Sequence, residues 1–223
     1  MTTITPQVLL KAYTAGIFPM AESADDPALY WIEPDERGVI PLDRFHIPQS
    51  LRKVVRRKIF EIRVDTRFDA VIAACAEKTE ARDVTWINHR ITKLYMQLHK
   101  MGCCHSVECW QDDLLVGGLY GVRIGAVFFG ESMFSRVTNA SKVALVHLVA
   151  RLNAGGFKLL DAQFLNPHIA QFGTYTVPKK EYRPILEEAL DGNGDFSAFK
   201  LDDDADATLG WATPNQSGAG VAD

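Results

Sequence analysis

Apolar positions first recur at helical spacing near the start of the chain, where Leu9, Leu10 and Tyr13 form a stripe. Thr5-Pro6 predicts an N-cap with proline at the first helical position, and Gly16 predicts the stop. Four prolines (19, 27, 34 and 41) then punctuate residues 17–47, which read as an irregular segment bounded by Pro48. Pro48–Lys58 returns to helical spacing. Leu51, Val54 and Val55 share one face, and Arg52, Lys53, Arg56 and Arg57 share the other. Residues 59–64 predict a short strand, and Thr66–Glu77 and His89–Met101 predict two amphipathic helices.

From Ser106 the period falls to two. SVECW, LLVGGLYGV and AVFFGESMF predict an antiparallel meander, with turns at Gln111-Asp112-Asp113 and Arg123-Ile124-Gly125. A long apolar helix over about Ser141–Asn153 stops at Gly155-Gly156. A strand at Phe157–Gln163, a short helix at Pro167–Phe172 and a last strand near Thr174–Val177 follow. The order predicts an α/β (α+β) fold, a mixed sheet with helices on its faces.

Composition narrows the class. With 223 residues, 47% hydrophobic and 23% charged, the chain is large enough for a core, and collagen-like, coiled-coil or wholly disordered readings are excluded. No apolar run approaches the roughly 18–20 residues of a membrane span. MTTITPQVLLKAY has no basic n-region or cleavage site, so secretion is not expected. Cys75, Cys103, Cys104 and Cys109 have no zinc-like spacing, which favours a reducing cytoplasm and neither a disulfide framework nor a metal site. The net charge of −4 hides an asymmetry. From Asp191 onward seven acids face one base, a net of −6, so residues 1–190 carry +2. Residues 191–223, rich in Asp, Gly, Ala and Ser, are expected to be an acidic disordered tail.

Chemistry concentrates in a few places. In FKLLDAQF, period two puts Asp161 and Gln163 on one face of an apolar strand, where the carboxylate either caps a neighbouring loop or serves a reaction. Glu131, in GESMF, ends another apolar strand and needs a cation or amide partners. The pair Tyr30-Trp31, Trp86, Trp110 and the pair Phe128-Phe129 are candidates either for closing the core or for apolar and base-stacking platforms. The basic face of Pro48–Lys58 is either solvated or a phosphate contact. No P-loop, dinucleotide fingerprint or Ser-His-Asp signature is present, and the histidines lack metal spacing.

Eight motifs in order then become recognisable: LLKAYTAGIFPM, WIEPDERGVIPLD, TWI, HSVECW, LVGGLYGV, GESMFSR, NASKVAL and LLDAQFLNPH. Over residues 6–187 the chain resembles the leucyl/phenylalanyl-tRNA–protein transferases. The resemblance implies transfer of leucine or phenylalanine, with methionine as a third candidate, from aminoacyl-tRNA to the α-amino group of proteins beginning with Arg or Lys. The product would be an N-degron. It implies a small N-terminal domain (1–62) and a catalytic domain similar to GCN5-related N-acetyltransferases (63–190), acting as a cytoplasmic monomer without cofactor. It further implies that Trp31, Phe128 and Met133 line a side-chain pocket, and that Trp86 and Tyr95 meet the terminal adenosine. Glu131, Asp161, Gln163 and Asn166 would surround the reacting ester and amine, and Arg52, Lys53, Arg56 and Arg57 would contact tRNA phosphates. A CoA-dependent N-acetyltransferase on the same fold is one rival reading, although SRVTNASK lacks the pyrophosphate-binding turn that reaction uses. A catalytically silent tRNA- or degron-binding module is the other, against which Asp161 and Gln163 together argue.

Overall fold

The computed structural model describes residues 4–78 and 84–215. It opens with helix α1 (Pro6–Thr14), whose first turn is closed by the Thr5 hydroxyl accepting from the Val8 N–H at 3.3 Å. Within the segment expected to be irregular, β1 (Phe18–Met20) and β2 (Tyr30–Ile32) form a small antiparallel pair. Next come β3 (Glu36–Ile40), α2 (Gln49–Arg56), β4 (Glu61–Val64), α3 (Phe68–Ala76) and α4 (His89–Lys100). The meander is β5 (Cys104–Gln111), β6 (Leu114–Ile124) and β7 (Val127–Ser135), and the buried helix after it is α5 (Ala140–Ala154). Strand β8 (Leu159–Gln163), α6 (Pro167–Ala170), β9 (Tyr175–Pro178), α7 (Lys179–Leu190) and α8 (Ala205–Ala212) complete the order.

Seven strands make one sheet in the order β4-β5-β6-β7-β8-β3-β9. Among the described residues only β7 and β8 run parallel, and the long α5 crossover between them is what permits it. Both faces are covered. Helices α2, α5 and α8 build one core with Phe45, Val107, Leu119, Phe128 and Leu160. Helices α1, α3, α4 and α7 build the other with Tyr120, Val122, Phe129 and Leu159. The fold is therefore a mixed α/β sandwich, as the periodicity predicts.

Two expectations are corrected. Strand β3, placed inside a separate small domain by the 1–62 boundary, stands within the main sheet between β8 and β9. Residues 191–215 are not a disordered tail. Phe196, Phe199, Leu209 and Ala212 are buried in the α5 core. Asp202 fastens the segment to α5 through His147 Nδ1 at 3.2 Å and through the Arg151 guanidinium. Counting charge overlooks these four apolar side chains, which suffice to dock a segment on an open helix. The rest of the expected tail, residues 216–223, lies outside the described residues. Among the described residues no helix is long and apolar enough to cross a membrane.

Candidate active site

Strands β7 and β8 stay paired only from Val127–Leu159 to Phe129–Asp161, and then part. Each carries a bulge at the fork. Opposite β6, Tyr120 faces Ser132 and Gly121 faces Gly130, which leaves Glu131 as the extra residue. Opposite β3, Val39 faces Asp161 and Gly38 faces Gln163, which leaves Ala162 over. A bulge re-aims the side chains that follow it. Strict alternation would put Glu131 and Met133 on one face. Instead Glu131 turns to the tyrosines of α1 and α4, while Met133 packs against the α5 core.

The fork opens a cavity of about 640 Å³. Leu119, Met133, Leu145, Leu148, Leu160 and Ile169 make it apolar, and Glu131, Gln163 and Asn166 supply polar groups. The volume and the mix suit a small ligand with one apolar arm.

Glu131 accepts from the Tyr13 hydroxyl at 2.7 Å, from the Tyr95 hydroxyl at 2.8 Å and from Gln163 Nε2 at 3.0 Å. The two tyrosine hydroxyls also lie in contact with each other; with one proton each, they fill that contact and both contacts to Glu131 only when the carboxyl carries a proton. Burial pushes the Glu131 carboxyl up to about 7, although the tyrosine hydrogen bonds pull it down. Both phenols are raised well above their ordinary 10, by burial first and by the Glu131 charge second.

Asp161 is fully buried and held from every side. Arg37 Nε reaches its two oxygens at 3.0 and 2.9 Å, and Nη2 reaches Oδ2 at 2.7 Å. The Tyr182 hydroxyl donates at 2.6 Å and the Gln163 backbone N–H at 2.8 Å. Gln163 has φ +57°, a left-handed conformation that is unfavourable for a residue with a Cβ. The Asp161 hydrogen bond to its N–H holds it there. Asn166 Oδ1 caps α6 by accepting from His168 and Ile169 N–H groups at 3.0 and 3.1 Å.

Of the residues expected at the site, Glu131, Asp161, Gln163, Asn166 and Met133 do line this cavity. Others stand elsewhere. Phe128 is fully buried, its ring stacked on Phe196 at 5.5 Å, and so fills the core rather than the pocket. Trp31 is 40% exposed on β2 and is not part of the cavity wall. Tyr95 has no exposed ring face on which a base could stack, being committed to Glu131. Trp86 packs part-buried against the second core. On α2, Lys53 and Arg56 are exposed, as is its C-cap Arg57; Arg52 is half-buried with Nε on the Ile47 carbonyl, and Arg56 pairs with Asp206 at 2.9 Å. Sequence marks neither Arg37 nor Tyr182, and marks Tyr13 only as part of the apolar stripe of the first helix. The available signal is the demand for donors of one buried and one half-buried carboxylate, which names a need without naming a residue.

Comparison with known proteins decides the family. The sequence model described as leucyl/phenylalanyl-tRNA protein transferase matches residues 39–187, and the model of its N-terminal domain matches residues 2–35. The chain belongs to the leucyl/phenylalanyl-tRNA–protein transferase family. A transferase of that name from Nitrobacter winogradskyi is 59% identical over 199 residues, covering 89% of this chain and 88% of the relative. One from Rhodopseudomonas palustris is 57% identical over 199 residues, with the same coverage of each chain. In this transferase the boundary between the two matched regions falls at residues 36–38, where β3 enters the sheet.

Proposed function

We propose that the protein transfers a leucyl or phenylalanyl group from aminoacyl-tRNA to the α-amino group of a protein beginning with Arg or Lys. The observation that carries this reading is the 640 Å³ cavity, walled mostly by apolar side chains and polar where Glu131 and Gln163 meet. The aminoacyl side chain occupies the apolar part, which excludes polar side chains by the desolvation they would suffer there. The ester carbonyl then lies beside the polar groups. A pocket that reads the side chain by shape tolerates both a branched aliphatic and a flat ring, since small apolar differences discriminate weakly.

The reaction is aminolysis of an activated ester. The amine nitrogen bonds to the carbonyl carbon, the bond to the ribose oxygen breaks, one proton leaves the amine and one reaches the ribose oxygen. Holding the amine in line is the first requirement. Gln163 is a weak base and serves as a positioning group. Glu131, raised to about 7, is suited to take the amine proton near neutral pH. Asp161 acts through Gln163, because its own oxygens are already filled. The exposed bases of α2 would neutralise acceptor-stem phosphates without reading sequence.

The acetyltransferase reading is disfavoured at the start of α5. The Ala140 N–H is bonded to the Val137 carbonyl, and the Ser141 N–H to the Ser135 hydroxyl. A pyrophosphate would need such amides. The deciding experiment offers leucyl-tRNA or acetyl-CoA to a peptide with N-terminal arginine. Leucyl transfer alone is expected; efficient acetyl transfer, or no leucyl transfer, would overturn the proposal.

A further inference from the structure

Arg37 falls in the gap between the two family-matched regions and is 1% exposed. Its guanidinium lies between the rings of Phe18 and Tyr182, with centroids 4.9 and 4.8 Å away. One edge grips Asp161 and Nη1 donates to the Gly16 carbonyl at 2.9 Å. Followed onward, these contacts close on themselves. The Gly16 N–H donates to the Tyr13 carbonyl at 2.9 Å, and the Tyr13 hydroxyl reaches Glu131. Glu131 takes the Gln163 side-chain amide, the Gln163 backbone N–H bonds Asp161, and Asp161 returns to Arg37.

We infer that Arg37 is a positioning residue for transfer, closing a hydrogen-bonded ring that makes α1 and its following turn part of the catalytic geometry. A buried ion pair that served stability alone would need only the Asp161 contact. The Nη1 bond to Gly16 adds a second function: it fixes the end of the helix that delivers Tyr13 to Glu131. The same guanidinium thus sets both sides of the Gln163–Glu131 contact, through Asp161 on one side and Tyr13 on the other. Lysine supplies the charge but a single nitrogen, and cannot span Gly16 and both carboxylate oxygens.

The inference rests on the transfer reaction proposed above, and its test keeps the two apart. Single-turnover transfer from saturating leucyl-adenosine to an arginyl peptide is measured for the wild type, Arg37→Lys and Tyr182→Phe, beside leucyl-tRNA affinity. Arg37→Lys is expected to lose at least about tenfold in saturated rate with affinity held within about twofold, because a small misplacement at the reacting atoms costs rate rather than binding. Tyr182→Phe removes one donor to Asp161 and keeps the ring against Arg37, and is expected to lose about threefold. If Arg37→Lys does not fold, Tyr182→Phe decides by itself. Wild-type saturated rates in the folded variants, or losses confined to melting temperature or donor affinity, would overturn the positioning role. No transfer by the wild type would overturn the proposed reaction, and this inference with it, which differs from silent substitutions beside an active wild type.

Discussion

Glu131, half-buried at the cavity, and Asp161, fully buried, are both carboxylates drawn into the fold, but their partners differ in charge. Glu131 is met by neutral donors, two phenols and an amide, which offset its desolvation only in part and leave it near 7. Asp161 is met by a guanidinium in bidentate contact. Because the folded carboxyl of Glu131 lies above its ordinary 4.5, the fold favours the protonated form. The resulting stability is fully present below about pH 4.5 and is lost as pH rises through about 7. Glu131→Gln has no such proton. Its unfolding free energy relative to wild type should therefore improve as pH is raised through that window, which urea titrations at several pH values will reveal. A constant difference would contradict the assignment. Asp161→Asn is expected to strand the Arg37 charge, destabilising the protein by about 3–5 kcal/mol. It should also cut the transfer rate while tRNA affinity holds. Unchanged rate and melting temperature in this variant would return Asp161 to a passive strand-end residue.

Among the elements, the two bulged strands and the close pass of 163–165 over β3 shape the cavity. Gly38 is required there by contact. A Cβ would lie 2.8 Å from the Phe164 carbonyl carbon and 2.9 Å from the Leu165 nitrogen, both main-chain atoms. Gly38→Ala should push this turn away, costing about 1–3 kcal/mol and more in transfer than its stability loss explains. Wild-type transfer and melting temperature would show that the turn yields freely. Helix α2 poses a different question, since its cations lie outside the cavity wall. Replacing Arg52, Lys53, Arg56 and Arg57 by Ala should weaken tRNA binding and flatten its dependence on salt, with transfer from leucyl-adenosine nearly unchanged. Equal losses with both donors would instead place the helix's role in folding. Periodicity found most of these elements, but missed β3 and α7 for identifiable reasons. β3 is a five-residue run in a proline-punctuated stretch, completed by partners distant in sequence. α7 carries Pro184 in its interior, a residue that argues against helix locally, and is held by burial of Tyr182, Leu186 and Ala189.

At the scale of the whole molecule, the segment after α7 is a buttress for the layer beneath the cavity. Leu145 and Leu148 of α5 form cavity wall, and the same helix is backed by Phe196, Phe199 and α8. Loss of either phenylalanine side chain should cost about 3–5 kcal/mol. A chain ending at Leu190 is therefore expected to melt far lower, or not to fold, in contrast to the harmless truncation that an acidic tail implies. Unfolding at the full-length urea midpoint would remove this structural role.

The sequence by itself determined the local elements with strong period, the mixed α/β class and the family, because these depend on near neighbours and on motifs that persist in order. It also nominated Glu131, Asp161 and Gln163, since polar groups in apolar strands announce themselves by the desolvation they incur. Tertiary structure alone decided what those groups do. Arg37 and Tyr182 reach Asp161 from 124 and 21 residues away, and Tyr13 reaches Glu131 from 118. It likewise turned Phe128 into core and Tyr95 into a buried donor, through bulges and packing that no run of residues encodes locally. Charge and hydrogen-bond chemistry can state that a buried carboxylate needs a partner. Only the folded chain brings one within 3 Å.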